Sequence, residues 1–163
     1  MTTRRMAAIA AMLGALALAS VAGAAAENAP PPAALDPAID ACAKCKMSVK
    51  DSGYAAQVIA AEGRVYKFDD LGCLLAYLKA NPALKPAARY VQDAGTKAWL
   101  SLEAAYYVVA KEVETPMGYG VHAFATKGAA EAFAAARKAG TKVVRLSELD
   151  VGDKAEADGG MKM

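Results

Sequence analysis

Two thiols and a thioether stand within six residues in Cys42-Ala43-Lys44-Cys45-Lys46-Met47. Thiolate and thioether donors together suit a polarisable, low-coordinate cation and select copper(I) over harder divalent metals. Three other chemistries would use the same residues. A thioredoxin-type Cys-x-x-Cys pair works with its first thiol at a helix N-terminus, whereas this pair is followed by Ser48 to Gly53 and then a strand pattern. Zinc takes four N/S ligands, which Cys42, Cys45, Cys73 and His122 would supply. That set lacks a second closely spaced ligand pair and leaves Met47 without a role. A plain disulfide, Cys42–Cys45 or Cys42–Cys73, would consume the thiolates that a metal needs, so the two states would alternate.

Three further positions carry sulfur or nitrogen. Thr115-Pro116-Met117-Gly118-Tyr119-Gly120 sets a methionine in a glycine-flanked turn, either free to reach a site or packed on a sheet edge. His122, the single histidine, shares a strand face with Phe124 by alternation, which favours a buried structural role over ligation. Cys73 falls one turn into a helical pattern beside Tyr77, where core filling is favoured over ligation. Asp69 and Asp70 stand at that helix start, and capping accounts for both. No nucleophile–base–orienter constellation surrounds any thiol, so the chain is read as a binding protein and not an enzyme, with no catalytic residues.

The elements that must position these residues repeat in order. Tyr54 to Ala60 is a strand, Glu62-Gly63 a turn and Arg64 to Phe68 a second strand. Asp70 caps a helix with Leu71, Leu74, Leu75 and Leu78 at helical spacing; Asn81-Pro82 stops it, and Arg89 to Gln92 returns to strand. The second half runs Ala105 to Ala110, Gly120 to Phe124, a helix capped by Thr126 from Lys127 to about Lys138, a stop at Gly140 and a strand from Lys142 to Leu146. Phe68, Gly72 and Tyr77 match Phe124, Gly128 and Phe133 at a constant offset of 56. The expected fold class is α+β, as two tandem β-β-α-β units over 41–95 and 96–150.

Outside them lie segments of a different kind. Arg4 and Arg5 precede an Ala/Leu-rich run and then small residues with Ala-x-Ala sites, the pattern of a cleavable signal peptide over 1–26. The apolar run is shorter than the roughly 20 residues needed to span a bilayer. The adjacent arginines also fit a twin-arginine signal, a cue that ordinary signals share. Residues 27–40 read as an extended, unpacked Pro-rich leader and 151–163 as a flexible tail.

Loss of Arg4 and Arg5 lowers Lys+Arg from 19 to the 17 of Asp+Glu, so the mature chain is near neutral with no basic surface for nucleic acid. Four of the seven methionines survive cleavage: Met47, Met117, Met161 and Met163. None lies in a periodic apolar stretch where methionine fills a core. Three cysteines in an oxidising compartment cannot all pair within the chain.

The ordered set Cys-x-x-Cys-x-Met, Phe68-Asp69-Asp70-Leu71-Gly72-Cys73-Leu74, Trp99, Ala105-Tyr106-Tyr107-Val108-Val109 and Pro116-Met117-Gly118-Tyr119-Gly120 with Ala123-Phe124 resembles the NosL family over residues 42–149. These are copper(I) chaperones associated with maturation of nitrous oxide reductase. The resemblance implies a monomeric periplasmic protein with a fold shared with organomercurial lyase. It also implies copper delivery to an assembly machinery with a membrane ABC transporter and its periplasmic protein. It carries ligand candidacy to Cys45, Met47 and Met117, while Cys42, Cys73 and His122 stand as further candidates on their residue types alone; a zinc or thiol–disulfide module of the cell envelope is the alternative. Two departures stand out. Many members are lipoproteins, yet no lipobox cysteine follows this signal, so a lipid anchor is not expected. Lys46 stands where glycine is usual.

Overall fold

Every residue of strand β1 (Ala56–Ala60) is buried, so this strand must take the interior of a sheet. The computed structural model, which describes residues 29–137 and 141–149, places it there. It lies antiparallel between β2 (Val65–Phe68) and β3 (Pro86–Gln92), with β4 (Trp99–Ser101) beyond β3 in the order β2-β1-β3-β4. Gly63, at φ +87, closes the β1–β2 turn in a conformation that L side chains avoid. Helix α1 (Leu71–Ala80) follows β2; its buried Leu71, Cys73 and Leu74 pack with Phe68, Val58 and Val91 in the main core. Each of those large apolar side chains contributes about 1.5–3 kcal/mol by leaving water.

The second sheet has the order β6-β5-β7, formed by β5 (Tyr106–Val109), β6 (Val121–Phe124) and β7 (Val143–Val144), with α2 (Lys127–Ala135) after β6. Its faces divide by strand alternation: Tyr107, Val121 and Ala123 join the main core, while Val108 and Phe124 pack with Ala130 and Ala134 of α2. The two halves thus share one core, joined by further bonds from Ala94 N to the Ala123 carbonyl and from Ala125 N to Asp93.

The α+β class with two antiparallel sheets agrees with the sequence reading, and the order β2-β1-β3 beside β6-β5-β7 is compatible with tandem β-β-α-β units. Strands β2 and β6 and the starts of both helices keep the offset of 56. Tyr77 packs on Phe68 at 5.3 Å between ring centroids, and Phe133 on Phe124 at 5.0 Å. The differences are local. Strand β4, short and half-buried, has too few residues to show a periodicity of its own. Helix α2 ends at Ala135, and the expected stop at Gly140 lies outside the described residues. Strand β7 keeps two residues before a 3-10 turn at Leu146–Glu148. The signal segment and the tail also fall outside the described residues.

The leader from residue 30 onward corrects the expectation of an unpacked segment. Gln57 is fully buried within the otherwise apolar β1, and a buried amide must find partners. It finds them in Ala33, whose backbone N donates to Gln57 Oε1 and whose carbonyl accepts from Gln57 Nε2, both at 2.9 Å. Lys67 donates to the Ala34 carbonyl and pairs with Asp40 at 2.6 Å, and the Tyr90 hydroxyl donates to the Pro30 carbonyl. Proline-rich backbone keeps its carbonyls unpaired, and the sheet's donors use them.

Candidate metal centre

The Cys42–Met47 segment is a closed turn held on the edge of β2. An isolated bridge between Ala41 and Ser48 draws its ends together, and Cys42 N donates to the Met47 carbonyl at 2.8 Å. Lys46 N donates back to the Cys42 carbonyl at 3.0 Å, and Ala43 N reaches the Lys67 carbonyl of β2 at 2.9 Å. Closing the turn puts Lys46 at φ +67, in the left-handed region, which costs a non-glycine residue about 1–2 kcal/mol. Glycine at this position would avoid that strain, which gives the departure at Lys46 a conformational meaning.

The turn faces the start of α1. Asp70 caps the helix: its backbone is extended and Oδ1 accepts from Gly72 N at 2.8 Å. One carboxylate suffices for that position, and on extended backbone the preceding side chain points the other way. Asp69 accordingly turns to the cysteines, where the Cys45 thiol donates to its Oδ1 at 3.2 Å. The expectation that both aspartates cap is corrected here. A pair of carboxylates before one helix was the available signal for a spare donor.

Cys42, Cys45, Cys73 and Asp69 each offer a donor atom within 4.8 Å of the others. Cys42 and Cys73 are fully buried, Cys45 is half-buried, and all three are free thiols. Cys73 therefore fills the core, as its helical position suggested, and also faces the other thiols. A hydrogen bond from Cys73 stabilises the Cys42 thiolate and brings its pKa down to about 6, against the opposing effect of burial. Burial first, then the proximity of Cys42 and Asp69, pushes the Cys45 thiol up to about 12. Cys73, as the donor to Cys42 and itself buried, is raised further.

The remaining candidates separate. Met47 is 60% exposed and borders a cavity of about 280 Å³ with Ser48, Lys50, Ser52, Asp69 and Pro116. It thus stands at the mouth of the site, with Asp69 common to cavity and thiol cluster. Met117 is half-buried and packs against the core that contains Cys42 and Cys73. Its backbone N donates to Asp70 Oδ2 at 3.0 Å, beside the Thr115 hydroxyl, so the Pro-Met-Gly turn is fastened directly to the α1 cap. Tyr119 covers Gly72, where a Cβ would collide with the tyrosine ring.

His122 does not join the cluster, which corrects its place among the candidate ligands. It is buried on β6 between Tyr54 and Phe133, at 5.6 and 4.7 Å between ring centroids. Neither ring nitrogen makes a hydrogen bond of good geometry. Burial holds its pKa below the ordinary 6.5. Strand alternation decides this: His122 and Phe124 face α2, whereas Val121 and Ala123 face the core shared with the thiols.

Three buried or half-buried sulfurs with one carboxylate form a compact, sulfur-rich donor set. It suits a soft monovalent cation in low coordination, and four donors also satisfy a tetrahedral divalent one. The family model described as NosL matches residues 32–152. No curated protein matches the sequence. Among solved structures the chain is similar to the crystal structure of the copper chaperone NosL from Shewanella denitrificans. The TM-score is 0.62 at 23% identity, over 74% of this chain and 97% of that one, a likeness of fold.

Proposed function

The chain belongs to the NosL family, and on that premise we propose that it is a periplasmic copper(I) carrier that loads through Met47 and Cys45 and holds the ion as cargo. The observation that carries this reading is the convergence of Cys42, Cys45, Cys73 and Asp69 within 4.8 Å beside the exposed Met47. An outer thioether catches a soft ion without deprotonation, and the half-buried thiol behind it takes over once its proton leaves. Low coordination leaves the ion open to exchange, which a carrier requires. The client proposed is the nitrous oxide reductase assembly machinery, with its membrane ABC transporter and periplasmic protein, and the carrier is monomeric. Export through a cleaved signal over 1–26 is part of the same reading.

Anaerobic titration with copper(I) against a competing chelator tests it. One copper per chain is expected, with affinity falling at least tenfold in Cys45→Ser and less in Met47→Leu and Met117→Leu. Absence of copper(I) binding by the reduced wild type sinks the proposal.

One observation favours a second reading. Asp69 supplies the fourth donor that zinc needs, in the place expected for His122. Stoichiometric zinc in protein purified without added metal, with copper(I) failing to displace it, would move the assignment there.

A further inference from the structure

The surface around Met47 carries more charge than a near-neutral mature chain requires. Lys44, Lys46 and Lys50 fall within seven residues that contain no carboxylate, and among the described residues none of the three forms an ion pair. Lys46 and Lys50 are exposed and Lys44 is half-buried. The nearby acids are engaged elsewhere: Asp40 with Lys67, Asp51 with Gln92 and Lys97, and Asp69 with the Cys45 thiol. Lys46 keeps its charge at φ +67, where glycine would sit without strain. Strain of this kind collects at functional surfaces.

The same surface is apolar where it is not basic. Ile39 and Met47, 80% and 60% exposed, are the large exposed hydrophobic residues among the described ones. The Ala41–Ser48 bridge, with Val49 N on the Asp40 carbonyl and the Ser48 hydroxyl on the Pro37 carbonyl, holds the turn that carries Ile39 beside the Met47–Val49 segment. Between Met47 and Pro116 the cavity of about 280 Å³ reaches Asp69, with room for a visiting side chain.

Resting on the copper-carrier reading above, we propose that this face docks an acidic, methionine-bearing protein segment of the copper-receiving partner. Carboxylates of the segment pair with Lys44, Lys46 and Lys50, and an apolar or thioether side chain enters the cavity beside Asp69. Opposite charge steers the encounter and fixes its register, while the inserted side chain supplies contact at the centre.

The test uses the full chain, reduced, both copper-free and copper-loaded. Its probes are a labelled synthetic peptide of alternating glutamate and methionine, the same peptide with serine for glutamate, and vesicles of phosphatidylglycerol. The acidic peptide is expected to bind about tenfold tighter than the serine peptide at low salt, and the advantage should shrink as screening increases. Lys46→Gly should weaken acidic-peptide binding about threefold while raising the melting temperature, a split that a purely structural lysine would not give. Lys44→Gln and Lys50→Gln should each weaken it similarly, with copper(I) affinity unchanged. Equal binding of the two peptides, or unaltered binding in all three variants, overturns the proposal. So does sedimentation with the vesicles without peptide binding, which would assign the lysines to a lipid surface. Because the peptide arm also runs without copper, loss of copper binding alone would sink the carrier reading and leave the docking result standing.

Discussion

The Asp70 carboxylate accepts the Thr115 hydroxyl at 2.6 Å across 45 residues of sequence, while its other oxygen caps helix α1. One buried side chain therefore fixes both the helix that carries Cys73 and the turn that carries Met117. Asp70→Ala removes the cap and leaves the Thr115 hydroxyl and Met117 N without their acceptor. The expected loss is about 2–4 kcal/mol in denaturant unfolding. Asp70→Asn keeps a capping oxygen and should lose less than half of that.

Gly72 and Gly128 are equivalent by sequence offset and opposite in environment. A Cβ at Gly72 collides with the Tyr119 ring, whereas one at Gly128 meets nothing within 4 Å. Alanine is intrinsically favoured over glycine in a helix by up to about 1 kcal/mol. Gly128→Ala should therefore raise stability slightly and Gly72→Ala should lower it by about 1–3 kcal/mol, since overpacking outweighs propensity. Thermal melts of the two variants, side by side, check the sign of each.

His122 makes stability depend on acid. Its folded pKa lies below the ordinary 6.5, chiefly through burial and with Arg137 adding to the effect, against the Ala110 carbonyl, Asp70 and Glu112. The unfolded chain thus binds a proton that the folded chain refuses. Its contribution to stability is fully present above pH 6.5 and is lost as pH falls toward the folded value. His122→Phe keeps ring packing against Phe133 and removes two unpaired nitrogens. This variant should be as stable as wild type at pH 7 and lose less on going to pH 5, measured by urea midpoints. Its copper(I) affinity should not change.

On the proposed copper(I) reading, proton release tells which thiol takes the cargo. Burial, with Cys42 and Asp69 beside it, raises the Cys45 pKa and favours its protonated thiol at neutral pH, whereas the hydrogen bond from Cys73 lowers that of Cys42 and favours its thiolate. Copper(I) bound by Cys45 must displace one proton, so apparent affinity should rise about tenfold per pH unit between pH 7 and 9. Binding by Cys42 alone would show almost no slope in that range. Chelator competition across pH, with proton release measured in weak buffer, reads the difference.

Much of this was legible in the residues themselves. Helical leucine spacing after Asp70 gave α1, Thr126 gave the start of α2, and the offset between Phe68 and Phe124 anticipated equivalent strands and equivalent aromatic pairs. These are local signals, carried by side-chain period and by caps that act within one turn. The sulfur cluster was equally visible as a choice of residue types: Cys42, Cys45 and Met47 are close in sequence and so must be close in space.

The tertiary structure decided which distant residues join them. Cys73 comes from the first turn of α1 and Asp69 from just before it, and both meet Cys42 and Cys45 because the turn carrying those thiols pairs with β2 through the Lys67 carbonyl. His122 was excluded by a single step of strand alternation, which sends it to the α2 side of the second sheet. The leader was drawn in by Gln57, whose buried amide required backbone partners from another segment. Residue types and local period determined the elements and the soft-donor chemistry. The donor set depended on sheet pairing, on which face each strand turns inward, and on where buried polar groups found their bonds.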